Sequence, residues 1–172
     1  MKITGYIILF IFLQISSAYS LCLTDKANFG DNFNKVKENK EIPFLEESSP
    51  YDGQLFIPGE FICKNNEALK GSGIRYIFLN DKLVEINGNN FYAENLLILQ
   101  WLEKEFGIAK NKPTNFSNEN KIAHIHWEKD SYFVFYRMEK HDEGILESFQ
   151  VRSKRFDNEY DDYAKRLDDE ID

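Results

Sequence analysis

Apolar and polar positions alternate most clearly from residue 74 onward. Residues 74–79 (Ile-Arg-Tyr-Ile-Phe-Leu) and 82–86 (Lys-Leu-Val-Glu-Ile) are two β-rich runs about the polar pair Asn80-Asp81, which predicts a hairpin. A second hairpin is predicted over residues 122–138, where Ile-Ala-His-Ile-His-Trp returns as Tyr-Phe-Val-Phe-Tyr-Arg-Met. Residues 140–144 turn the chain again into a strand over 145–152. Upstream, residues 55–57 and 61–63 have strand character interrupted by Pro58-Gly59, as an edge or bulged strand would be.

The period changes over residues 91–106. Phe91, Ile98, Leu99, Leu102 and Phe106 recur at helical spacing, Leu97 and Trp101 widen the stripe, and Gly107 with Ile108 predicts a Schellman-type stop. Asn87-Gly-Asn-Asn90 reads as the break between hairpin and helix. Phe156, Tyr160, Tyr163 and Leu167 predict a C-terminal amphipathic helix, and Asp31 is placed to cap a short helix through Phe33 and Val36 that Pro43 stops. Residues 46–53 and 110–120 read as loops by composition. Together these elements predict an α+β domain: an antiparallel sheet of about five strands, two hairpins plus a strand, with one long helix on one face and a C-terminal amphipathic helix.

The N-terminal pattern belongs to neither period. Lys2, an apolar run over residues 6–15 and the small group Ser16, Ser17, Ala18 before Ser20 have the order of a secretory signal. That run is about half the roughly 20 apolar residues a membrane-spanning helix needs. Residues 1–20 are therefore expected to be a signal peptide, with Leu21 the mature start, although cleavage after Ala18 fits almost as well. Residues 21–172 are then one secreted or periplasmic domain with no stable membrane anchor. Cys22, close behind the cleavage site, could instead carry lipid, but Leu21 stands where lipidation wants a small residue.

Export changes how the two cysteines are read. An even pair in an oxidising compartment predicts a disulfide, Cys22 to Cys63, closing a loop of about forty residues worth on the order of 4 kcal/mol. The chain carries a net charge of −8, and removal of Lys2 makes it one unit more negative. Such a surface disfavours nucleic acid and anionic membrane and would attract a basic partner.

Chemistry-bearing motifs are sparse. His124 and His126, two apart on a predicted strand, share one face of it, with Glu128 following in the same register. Such a pair can share a metal, but no third ligand stands out, and imidazoles stacked on a half-exposed sheet face account for the spacing better. A turn at Lys129-Asp130 would set His124 against Phe135 and His126 against Phe133. His141 lies in an acidic turn beside Asp142 and Glu143. Ser72 stands between the glycines of a turn, with neither a nucleophile elbow nor a phosphate loop around it, and the carboxylate runs have no calcium-loop spacing. Aromatics are plentiful, but the basic track that nucleic acid needs is missing. Asn115-Phe-Ser117 is a glycosylation sequon in the polar linker, relevant only in a eukaryotic host.

These features favour an exported, non-enzymatic protein-binding domain of inhibitor or immunity type, without cofactor, docking on a partner with a basic surface. His124, His126, Asp142 and Glu143 are the expected binding residues. Two alternatives remain: a small metal-dependent hydrolase or metal-binding protein using His124, His126 and Glu128, with Asp130 as a further candidate, and a carrier of an apolar ligand held between sheet and C-terminal helix.

Overall fold

The computed structural model describes residues 22–24, 27–39, 43–46, 51–63, 66–93, 95–109 and 122–171. The expected signal peptide and the Asn115 sequon lie outside them. Seven strands form one sheet: β1 (Leu45–Glu46), β2 (Gly53–Pro58), β3 (Gly73–Leu79), β4 (Lys82–Ala93), β5 (Ile122–Glu128), β6 (Tyr132–His141) and β7 (Gly144–Ser153). Their order is β1-β2-β3-β4-β7-β6-β5, with every neighbouring pair antiparallel. The expected five-strand sheet under one long helix is thus incorrect. β1 and β2 extend the sheet beyond β3, and the helices are short: α1 (Phe33–Lys37), α2 (Gly59–Ile62), α3 (Leu97–Phe106) and α4 (Asp157–Ile171).

The largest correction falls on residues 87–93. β4 continues through Asn87, Gly88, Asn89 and Asn90, which pair with β7, so α3 starts at Leu97 and not at Phe91. Gly88 is required there by packing: an added Cβ would stand 2.6 Å from both Ile74 and Phe149. The glycine lets two core side chains meet over the strand, while Asn87 and Asn89 point to the opposite face. A sequence resembling a turn is therefore a strand with one crowded face and one polar face.

The sheet has one fully covered face. Leu55, Ile57, Ile74, Tyr76, Phe78, Ile86, Phe149, Val151, Val134, Tyr136 and Ile125 are buried in one cluster, together with Ile98, Leu99, Trp101 and Leu102 of α3. Several short pieces cover it in place of a single helix. These include α3, the residues of α2, and turns at Cys22–Thr24 and Glu67–Leu69, which bring Ile62, Leu23 and Leu69 into the cluster. The Cys22–Cys63 disulfide ties two of these pieces together, with Cα atoms 5.4 Å apart at a sequence separation of 41. Beside it, the Tyr76 hydroxyl donates to the carbonyl of Leu23 at 2.7 Å.

The predicted hairpins form with adjusted turns. Asn80 and Asp81 take φ of 48° and 58°, the left-handed pair that a two-residue β-turn of the primed type requires. In the second hairpin the turn residues are Asp130 and Ser131: Lys129 donates to the carbonyl of Tyr132 at 3.0 Å, which places His124 opposite Arg137 and His126 opposite Phe135. At the short N-terminal helix the cap is Asn32, whose side chain accepts from the Lys35 amide, while Asp31 accepts from Asn28 and from the Lys35 ammonium. Gly107 does stop α3, at φ 88°, although Ile108 is 83 % exposed and adds no packing to the stop.

Candidate functional site

The opposite face of the sheet is covered only in part among the described residues. Phe156, immediately before α4, packs on Ile77, Leu79 and Val84, with Tyr160, Tyr163 and Tyr51 beside them. Ion pairs and hydrogen bonds also hold helix α4. Arg166 donates to both carboxylate oxygens of Asp52 at 3.0 and 3.2 Å, Lys82 pairs with Glu159 at 2.7 Å, and the Tyr160 hydroxyl donates to Glu85. The bonds from Arg166 hold the Asp52 carboxyl below the usual range, and the bond from Lys82 does the same for Glu159. Among the described residues, aromatic side chains thus occupy the layer between the sheet and α4.

Next to α4 the sheet opens into a groove of about 540 Å³. Its polar side chains stand in rows because the strand registers align. Arg75 lies opposite Asn87, Asn87 opposite Gln150, Gln150 opposite Phe135, and Phe135 opposite His126. This row crosses five strands, so at about 4.8 Å per strand it extends roughly 19 Å. A second row runs parallel to it through Asn89, Ser148, Arg137 and His124.

Below these rows lies Glu85, 3 % exposed. Its carboxylate accepts from the Asn87 amide at 2.8 Å, from the Gln150 amide at 2.5 Å and from Tyr160. A buried carboxylate needs such donors, and in providing them the two amides have their orientation fixed. Burial, and next the Glu85 charge, push the Tyr160 hydroxyl far above its usual range; Tyr51 is raised for the same reasons.

The sequence-predicted residues separate on the structure. His124 and His126 stand on the groove wall. Asp142 and Glu143 do not; they form the exposed two-residue turn at the end of the β6–β7 ladder, where His141 lies opposite Gly144. Glu128, in register with the histidines, is engaged by Lys154 at 2.8 Å, which holds its carboxyl below the usual range. Among the described residues no three His, Cys, Asp or Glu side chains converge in a way that could hold a metal ion. The Ser148 hydroxyl donates to the carbonyl of Arg137 at 3.4 Å, and not to an imidazole.

Arg75, Asn87, Asn89, Arg137, Ser148 and Gln150 were not singled out from sequence. The signal lay in the alternation Glu85, Asn87, Asn89 and Ser148, Gln150, Arg152, polar at every second position. No family of proteins, no curated protein and no solved structure matches this chain.

Proposed function

We propose that the chain is an exported, non-enzymatic binding domain of inhibitor type, directed out of the cytoplasm by residues 1–20, and that it docks on another protein through the open sheet face. The observation that carries this reading is the polar groove itself. Its amides are held ready by a buried carboxylate. Pre-oriented hydrogen-bonding groups on a rigid sheet lower the ordering cost of association.

Export is supported by the Cys22–Cys63 disulfide, since such bonds persist in oxidising compartments. Among the described residues no helix is long and apolar enough to cross a membrane. The net charge of −8 would steer the domain onto a basic partner, with Asp142, Glu143 and the exposed acids of α4 acting at long range and the groove making the specific contact.

The test is capture from the native exported fraction at low salt, with three baits: wild type, a groove variant (Asn89→Lys with Phe135→Ala) and a turn variant (Asp142→Asn with Glu143→Gln). The expected result is a partner held by wild type, lost from the groove variant and weakened only slightly in the turn variant. Capture that survives the groove variant would contradict the assignment of the surface.

A further inference from the structure

We infer that the groove between Arg75 and His126 is a site for an uncharged oligosaccharide carried by the docking partner, an inference that rests on the open face being the docking surface. Charge is the first argument. Counting histidine as neutral, the groove is lined by the guanidiniums of Arg75 and Arg137 and the carboxylate of Glu85, and Arg137 is paired at 2.7 Å with Glu139, outside the lining. In a chain at −8 this is a locally balanced region. It offers neither the cation cluster that an acidic ligand needs nor the bare carboxylates that would hold a basic one.

Hydrogen-bonding capacity is the second argument. Asn87 and Gln150 each give an N–H to Glu85, so their carbonyl oxygens are left to accept at the groove. Asn89 is exposed beside them and can both donate and accept through one amide. Arg75 at one end of the row and Arg137 near the other add donors. Sugar hydroxyls both donate and accept, so a chain of them can match this mixed set without leaving a buried group unpaired.

Shape is the third. A pyranose ring spans roughly one interstrand spacing, so successive rings can follow successive strands along the row. Phe135 lies within that row, 39 % exposed, and presents an apolar ring to the C–H face of a sugar. The groove's lining mixes polar side chains such as Asn87, Asn89 and Gln150 with the Phe135 ring, a combination suited to the hydroxyls and C–H face of a sugar.

The experiment is a titration of the disulfide-bonded exported protein, nitrogen-15 labelled, with neutral oligosaccharides of about four units built on glucose, mannose, galactose or N-acetylglucosamine. A lysine-rich and a glutamate-rich peptide serve as separate arms. The expected result is saturable shifts in the side-chain amides of Asn87, Asn89 and Gln150 for at least one sugar, weakened about tenfold by Asn89→Ala or by Phe135→Ala and unchanged by Asp142→Asn. Either peptide shifting those amides while every sugar leaves them still would overturn the inference, as would silence in all arms. If the sugars are inert but the groove variant still loses the captured partner, the oligosaccharide is wrong and the docking surface stands. If capture also survives that variant, both fail.

Discussion

Among the described residues, each face of the sheet carries one deeply buried glutamate, and their surroundings differ. Glu147, fully buried on the covered face, accepts from the backbone amides of Ile98 and Leu99 at 3.2 and 3.0 Å and from the Tyr136 hydroxyl at 2.7 Å. It therefore caps α3 from another element, where the helix has no side-chain cap of its own because Leu96, at the N-cap position, carries no acceptor. Every group around Glu147 is used in holding structure together. Glu85 on the other face likewise has three donors, but two are side-chain amides whose oxygens remain available at the groove. One carboxylate completes a core, and the other prepares a surface.

Loss of the covered face's supports should have the larger cost. Replacing both Cys22 and Cys63 by Ser should lower stability by about 4 kcal/mol through the freed loop, measured by urea unfolding under oxidising conditions. Glu147→Ala leaves three buried donors without an acceptor and should cost at least about 3 kcal/mol in the same assay. Glu85→Gln should cost about 1 kcal/mol, since part of its hydrogen bonding survives, yet it should disorder the amides and weaken groove binding. Phe135→Ala should change stability by less than about 0.5 kcal/mol, because the ring is on the surface. A loss from Phe135→Ala as large as that from Glu147→Ala would remove the distinction between the faces.

The same pair of glutamates sets the alkaline limit. Burial first, and then Glu147 and Glu85 respectively, push the hydroxyls of Tyr136 and Tyr160 far above the usual tyrosine range. A raised folded value stabilises fully below pH 10, and that contribution is lost as pH climbs further, because only the unfolded tyrosines then release their protons. Stability should fall steeply above pH 10, and less so in Tyr160→Phe, as measured by urea midpoints across that range.

Much of the fold could be read from period and turn chemistry. The hairpin at Asn80-Asp81, the strand run through β5, β6 and β7, the C-terminal helix and the disulfide all follow from short-range signals or from cysteine parity. Residues 87–90 could not be read so, because their turn-like composition answers to packing between Ile74 and Phe149, partners distant in sequence. The groove was hidden for the same reason, since its rows exist only once β4 and β7 pair in register. His124 and His126 survived a turn misplaced by one residue because the resulting register shift is two, and a period of two leaves each side chain on its own face.

The central claim is that the open face, and not the acidic turn, meets the partner. The three histidines report on it directly: His124 and His126 line the groove, and His141 adjoins Asp142 and Glu143. Carbethoxylation of the imidazoles, followed by mass spectrometry with and without the captured partner, should show His124 and His126 protected in the complex and His141 equally reactive in both. Protection of His141 with His124 and His126 unchanged would contradict the account.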